Sequence, residues 1–186
     1  ILYGARLARW DLLRAICLLA SRITTWTPVC DNALHRLVSY INSNNNLVMR
    51  GYIGKGDTVS QLSMDLFCDA DFAGERPTFR STPGNFLTLL GKNSDFPIAA
   101  KSKTEKTISH PSAESETMSM SRGLRAMALP GLDLMEAINT KDITELNCHE
   151  DNEATIAIIK SGKNPTMKHM NRTHGVQVRS LYDEFN

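Results

Sequence analysis

Three carboxylates in three different settings are the residues of this chain best placed to do chemistry. Asp69 lies within Leu66–Gly74 (LFCDADFAG), a short apolar run that reads as a buried strand delivering an acid and stopping at a glycine. Glu114 falls in the first turn of a long helical run, and Asp151 directly follows another apolar strand. A buried aspartate is costly unless something cationic meets it, so an acid in such a strand points to a metal ion or an ion pair. Acids on strand, helix and strand are the donor set that two hard cations need to clamp a phosphodiester and activate a water for in-line attack. Mg²⁺ accepts oxygen ligands and keeps several waters, so three or four carboxylates from separate elements suffice; Mn²⁺ takes the same ligands. Asp71 shares a strand face with Asp69, and period two alone does not choose between them. Taken singly, Glu114 also fits an ordinary helix-start acid and Asp151–Asn152 an ordinary cap.

The elements around these acids follow from patterning. Ile1 to Ile23 carries apolar residues at helical spacing, broken by Thr27–Pro28, and Asp31 starts a second helix through Ile41. Leu47 to Tyr52 reads as a strand. From Leu62 the pattern changes to strands: Leu66–Phe72, then Asn85–Leu90 after the punctuation Arg80–Ser81–Thr82–Pro83–Gly84, then Pro97–Lys101, with Lys106–His110 extended. Short links favour antiparallel pairing. Ser112 caps a helix that meets a kink or break at Pro130–Gly131. A strand around Leu146–His149, a helix Ala154–Ile159, an extended Met167–His169 and a last helix Val176–Phe185 complete an α/β layer arrangement with a mixed sheet. The expected division is a helical region over residues 1–60 and the α/β unit over 61–186.

Bulk properties bound the partners. The 186 residues hold 21 basic and 20 acidic side chains, enough for one sizeable core at near neutrality. The charge is segregated: Lys160 to Arg179 has five Lys or Arg and no acid, whereas Asp133 to Glu153 has seven acids and one lysine. That permits a basic face for nucleic acid, and equally a solvated surface. Cys17, Cys30, Cys68 and Cys148 form no CxxC, which points to a reducing intracellular setting rather than a zinc site. No run of 18 apolar residues exists to span a membrane. A start at Ile1, within a helix, reads as a piece of a longer chain.

Asp69–Ala70–Asp71–Phe72–Ala73–Gly74 followed by Arg80–Ser81–Thr82–Pro83–Gly84 resembles the RNase H domain of copia-type retrotransposon polyproteins. The resemblance continues through Ile98–Ala99–Ala100–Lys101–Ser102–Lys103, Thr107–Ile108–Ser109, Ser112–Ala113–Glu114–Ser115–Glu116, Asp151–Asn152–Glu153–Ala154 and Lys168–His169. Ile1–Leu12 is similar to the end of the preceding reverse transcriptase. The resemblance implies an RNase H-like fold with a five-stranded mixed sheet, three antiparallel strands then two parallel, flanked by helices. It implies Mg²⁺-dependent cleavage of the RNA strand of an RNA/DNA hybrid, with Asp69, Glu114 and Asp151 as metal-binding catalytic acids. The rest of the reverse transcriptase polyprotein would be a partner, in the cytoplasm within virus-like particles.

One position departs from that pattern: the family's fourth acid, two residues after His169, is Asn171 here. His174 is the candidate to take over part of its role, and Asn171→Asp is expected to raise activity or metal affinity. Candidate substrate contacts are Arg80, Ser81, Thr82, Lys101 and Lys103 for phosphates and Asn152 for a ribose. A decayed, non-catalytic copy of the same fold is the competing expectation, and an integrase-type core is disfavoured by the helical acid Glu114.

Overall fold

The computed structural model describes residues 1–75, 79–105, 112–138, 145–164 and 167–185. The N-terminal region is helical but segmented: α1 (Leu2–Leu7), α2 (Leu13–Ser21) and α3 (Pro28–Ser43), with short 3₁₀ turns at Trp10–Leu12 and Ile23–Thr25. The single helix expected over Ile1–Ile23 breaks at Arg9, whose guanidinium bonds both oxygens of Asp11 and reaches the Asn44 carbonyl at 3.2 Å. The third helix starts at Pro28 rather than Asp31, because proline loses nothing where the first-turn N–H has no helical partner. Ala5, Leu12, Leu13, Ile16, Leu19, Cys30 and Leu37 form a core of their own. Trp10 meets Phe86 edge-on at 5.7 Å, which docks this region on one face of the sheet.

The sheet contains β1 (Ser63–Glu75), β2 (Arg80–Leu90), β3 (Asp95–Ser102) and β4 (Glu145–His149) in the order β3-β2-β1-β4. Neighbours β1/β2 and β2/β3 are antiparallel, and β1/β4 is parallel. The sheet is mixed as expected, but it has four strands among the described residues, not five. Met167–His169, expected to be extended, is a turn, because the His169 carbonyl accepts from Arg172 and Thr173 N–H groups to start helix α7 (Met170–Thr173). Leu47–Tyr52 is no strand either; only Tyr52 bridges to Asp95. Conversely, Arg80–Gly84 belongs to β2, with Pro83 offering only its carbonyl, to Lys103 N–H at 3.3 Å. The expected extended piece Lys106–His110 lies outside the described residues.

Alternation along β1 decides what faces what. Met64, Leu66, Cys68 and Ala70 point into the main core, while Phe67 and the acids point to the other face. The core face is covered by α4 (Ser112–Gly123), a π turn at Leu124–Ala128, and α5 (Leu129–Ile138). A proline inside a helix clashes with the carbonyl four residues before it; the π turn ends just ahead of Pro130 and keeps the helix running instead of breaking it. Helices α6 (Glu153–Ser161) and α8 (Val178–Phe185) complete this layer. Among the described residues, no helix is long and apolar enough to cross a membrane.

Candidate active site

The register puts Asp69 opposite Gly84 on β2 and pairs Phe67 with His149, the last residue of β4. Glu150 and Asp151 therefore leave the sheet beside the stretch of β1 that carries Asp69. All three acids, with Asp71, line one groove of about 950 Å³ whose walls include Trp10, Arg14, Phe67, Thr82, Lys101 and His149. Asp71 accepts a hydrogen bond from Arg14 at 3.2 Å. Phe67 and His149 stack at 4.2 Å, and His149 Nε2 lies 2.7 Å from Asp65, which holds the imidazole against the sheet.

Helix α4 is tied to this end of β1 by Ser119, whose hydroxyl donates to the Asp69 carbonyl at 3.0 Å. Asn85 donates to both the hydroxyl and the carbonyl of Ser119 at 3.1 Å. Gly123 allows the close approach: a Cβ there would stand 2.7 Å from the Asn85 amide nitrogen. Glu116, Ser119 and Gly123 are spaced i, i+3, i+7 and share one helix stripe. The stripe that Ser119 fixes on β1 thus carries Glu116 to the acids. Glu116 is 6% exposed, and its Oε2 is buried with no hydrogen-bond partner. Burial, followed by the charges of Glu150, Asp69 and Asp151, pushes its carboxyl up to about 8, against a backbone hydrogen bond from Ala70. Burial and the charges of Asp151 and Asp69 likewise raise Glu150 to about 7, against the Asn152 N–H that it accepts.

Glu114 is elsewhere. Two residues from Glu116, it faces away from that stripe and is wholly buried, with its Oε1 2.5 Å from His174 Nε2 and 3.3 Å from His169 Nε2. Of the trio expected from sequence, Asp69 and Asp151 line the groove and their charges bear on Glu116, while Glu114 and His174 form a separate buried pair. His174 is fixed by Glu114 instead of standing with the groove acids. Asn171 is exposed on α7.

The candidate substrate contacts also divide. Ser81 is fully buried, so no phosphate reaches it; its burial follows from its place in β2 rather than in a turn. Thr82 is buried and shares a hydrogen bond with Thr104 at 3.2 Å, though it lines the groove. Asn152 caps α6, accepting from Thr155 N–H at 3.0 Å. Arg80 and Lys103 are exposed. Lys101 lines the groove and also a second, polar pocket of about 310 Å³ that contains Arg122, Arg125 and His174. Within that region Arg122 is paired with the buried Glu105.

Two acids that sequence reading did not put forward, Glu116 and Glu150, carry raised carboxyls at this end of the sheet. The first had a usable signal, the small residues Ser119 and Gly123 on its own stripe; the second sat beside Asp151 without any periodicity to favour it. Among the described residues, no three His, Cys, Asp or Glu side chains form a group that could hold a metal ion as they stand.

No family model matches the chain, and no solved structure matches it. It is 32% identical over 144 residues, 76% of its length, to an uncharacterized mitochondrial protein of Arabidopsis thaliana. The chain spans about half (53%) of that relative's length.

Proposed function

We propose that this chain is a divalent-cation-dependent endoribonuclease of the RNase H type, cutting the RNA strand of RNA/DNA hybrids as one part of a retrotransposon reverse transcriptase polyprotein. The observation that supports it most is that Asp69 and Asp151, from two neighbouring strands, line one groove and their charges bear on Glu116 of α4, whose buried oxygen is left without a donor. A buried carboxylate oxygen without a partner is costly, and an all-oxygen donor set suits Mg²⁺ or Mn²⁺. When bound, such ions supply charge neutralisation at the scissile phosphate and an activated water. Asp69 and Asp151 are both exposed in the groove, open to an ion or a substrate.

The chain's own residues do the rest. Ser119 and Asn85 hold α4 so that Glu116 stays aimed at the strand ends. Lys101, with Arg125 beyond it, offers phosphate contacts leading out of the groove. The experiment is cleavage of labelled RNA/DNA hybrid with Mg²⁺ or Mn²⁺ by the full chain beside Asp69→Asn: cutting by the wild type alone supports the reading, and equal cutting by both sinks it. The second reading, a non-catalytic hybrid-binding module, draws support from Asn171 and from the unformed ligand set. It predicts binding of the hybrid without cutting under either metal.

A further inference from the structure

The sheet face that carries Asp69 also carries a row of rings with no part in the chemistry above. Register sets His149, Phe67, Phe86 and Ala100 side by side across all four strands. Trp10 meets Phe86 edge-on, Phe86 lies 6.1 Å from Phe67, and Phe67 stacks on His149 with the two planes 9° apart. The N-terminal helices pack over the Trp10 and Ala100 end of this row. The other end is open: Phe67 is 38% exposed, and the His149 side chain 45%, although one imidazole face is already taken by Phe67. An open ring face at the end of a fixed stack is a platform for one more flat group.

The platform is built in advance. His149 Nε2 stands 2.7 Å from the buried Asp65, which in turn accepts from the Ser63 hydroxyl at 2.5 Å, so the ring has little freedom left to lose on binding. The next row on the same face is Asp69, Gly84 and Ser102, so small residues leave room where the rings end. On the groove wall, Arg14 of α2 gives one guanidinium nitrogen to Asp71, while its Nη1 has no acceptor among the described residues. An open ring face on the floor and a guanidinium short of an acceptor on the wall match a base and its phosphate. An apolar peptide would cover the rings and do nothing for Arg14. We propose that this part of the groove is a stacking subsite for an unpaired nucleotide, whose base extends the Phe67–His149 stack and whose phosphate reaches Arg14. The inference rests on the reading of the groove as a nucleic-acid site. Bases within a duplex are stacked on their own neighbours, so the occupant is a single-stranded segment or a free nucleotide.

The test follows the anisotropy of fluorescein-labelled oligo(dT) on titration with the full chain in EDTA, with free dTMP as competitor. Phe67→Ala and His149→Ala should each weaken binding by about five- to hundredfold, the worth of stacking one base. His149→Phe, which keeps the stack without the Asp65 bond, should retain most of the affinity. Arg14→Gln should weaken binding and reduce the salt slope by about 0.7. Competition by dTMP identifies a free nucleotide as the occupant; competition by unlabelled oligonucleotide alone identifies a strand. No binding of either by the wild type, alanine variants that bind as it does, or a His149→Phe protein as weak as His149→Ala overturns the inference. Where those results come with hybrid cleavage by the wild type, the function proposed above still stands. Where cleavage is absent but oligonucleotide binding is lost in the alanine variants, the subsite stands without it. Should an alanine variant fail to fold, photocrosslinking of the wild type to a 4-thiothymidine oligonucleotide decides. Adducts at Trp10, Phe67 or His149 support the subsite, and adducts confined to other peptides overturn it.

Discussion

The two glutamates of α4 should separate cleanly under substitution, because they stand on opposite faces of one helix. Glu114 is wholly buried and hydrogen-bonded to His174, whose side chain is 2% exposed, and to His169. Glu114→Gln keeps the shape but weakens a charge-assisted bond in a buried setting, so it should cost about 1–3 kcal/mol of stability. For a chain of this size that is a fall in Tm of roughly 2–12 °C. Glu116→Gln does the opposite. It removes a buried charge pressed by Glu150, Asp69 and Asp151, so the metal-free protein should be no less stable, and more so above neutral pH. Hybrid cleavage should survive Glu114→Gln below its lowered Tm and vanish in Glu116→Gln. The assay is thermal unfolding followed by circular dichroism, paired with cleavage of labelled hybrid well below both midpoints. A folded Glu116→Gln protein that cuts at the wild-type rate, or a Glu114→Gln protein of unchanged Tm that does not cut, would refute the assignment.

Raised carboxyls at Glu116 and Glu150 make the folded state bind more protons than the unfolded chain between the ordinary glutamate range and about 7 to 8. Stability of the metal-free protein should therefore fall as pH rises through that window, by at most about 1.4 kcal/mol per pH unit for each group, and saturating Mg²⁺ should flatten the fall; thermal unfolding from pH 5 to 9 checks it. Gly123→Ala drives a Cβ against Asn85 and Leu66, so it should cost about 1–3 kcal/mol and lower cleavage further than Tm alone explains, by moving Glu116 off Asp69. Lys101→Ala and Arg125→Ala should each weaken hybrid binding and reduce the salt slope by about 0.9 in fluorescence anisotropy titrations, with Mn²⁺ binding unchanged. Asn171→Asp, expected from sequence alone to strengthen the metal site, should leave Mn²⁺ affinity unchanged, because residue 171 is exposed on α7 and does not line the acid groove.

Much of the layer arrangement was legible because it depends on local patterning. The apolar run before Asp69, the small loop residues between strands and Ser112 opening a long helix all speak in periods of two or 3.6. Three strands, the mixed sheet and the helix over Ser112–Gly123 follow from that. The misreadings arise where tertiary contacts decide. Arg80–Gly84 has the composition of a turn, yet pairs with β1 because the neighbouring strand offers its backbone. Met167–His169 is too short for any pattern, and its carbonyls are taken by a helical turn. The choice between Glu114 and Glu116 is the instructive case. Both suit a helix start equally, and dipole and capping arguments do not tell them apart. What separates them is a hydroxyl at Ser119 and a missing side chain at Gly123, which select the face that lies on the sheet.

The central claim is that side chains 69, 116 and 151 serve a divalent-cation site. Anomalous scattering from crystals of the full chain soaked in Mn²⁺ tests it most directly. The account predicts density bordered by Asp69, Glu116 and Asp151 at the ends of β1 and β4. Density at Glu114 with His169 and His174 instead, or none at the three acids under saturating Mn²⁺, would contradict it.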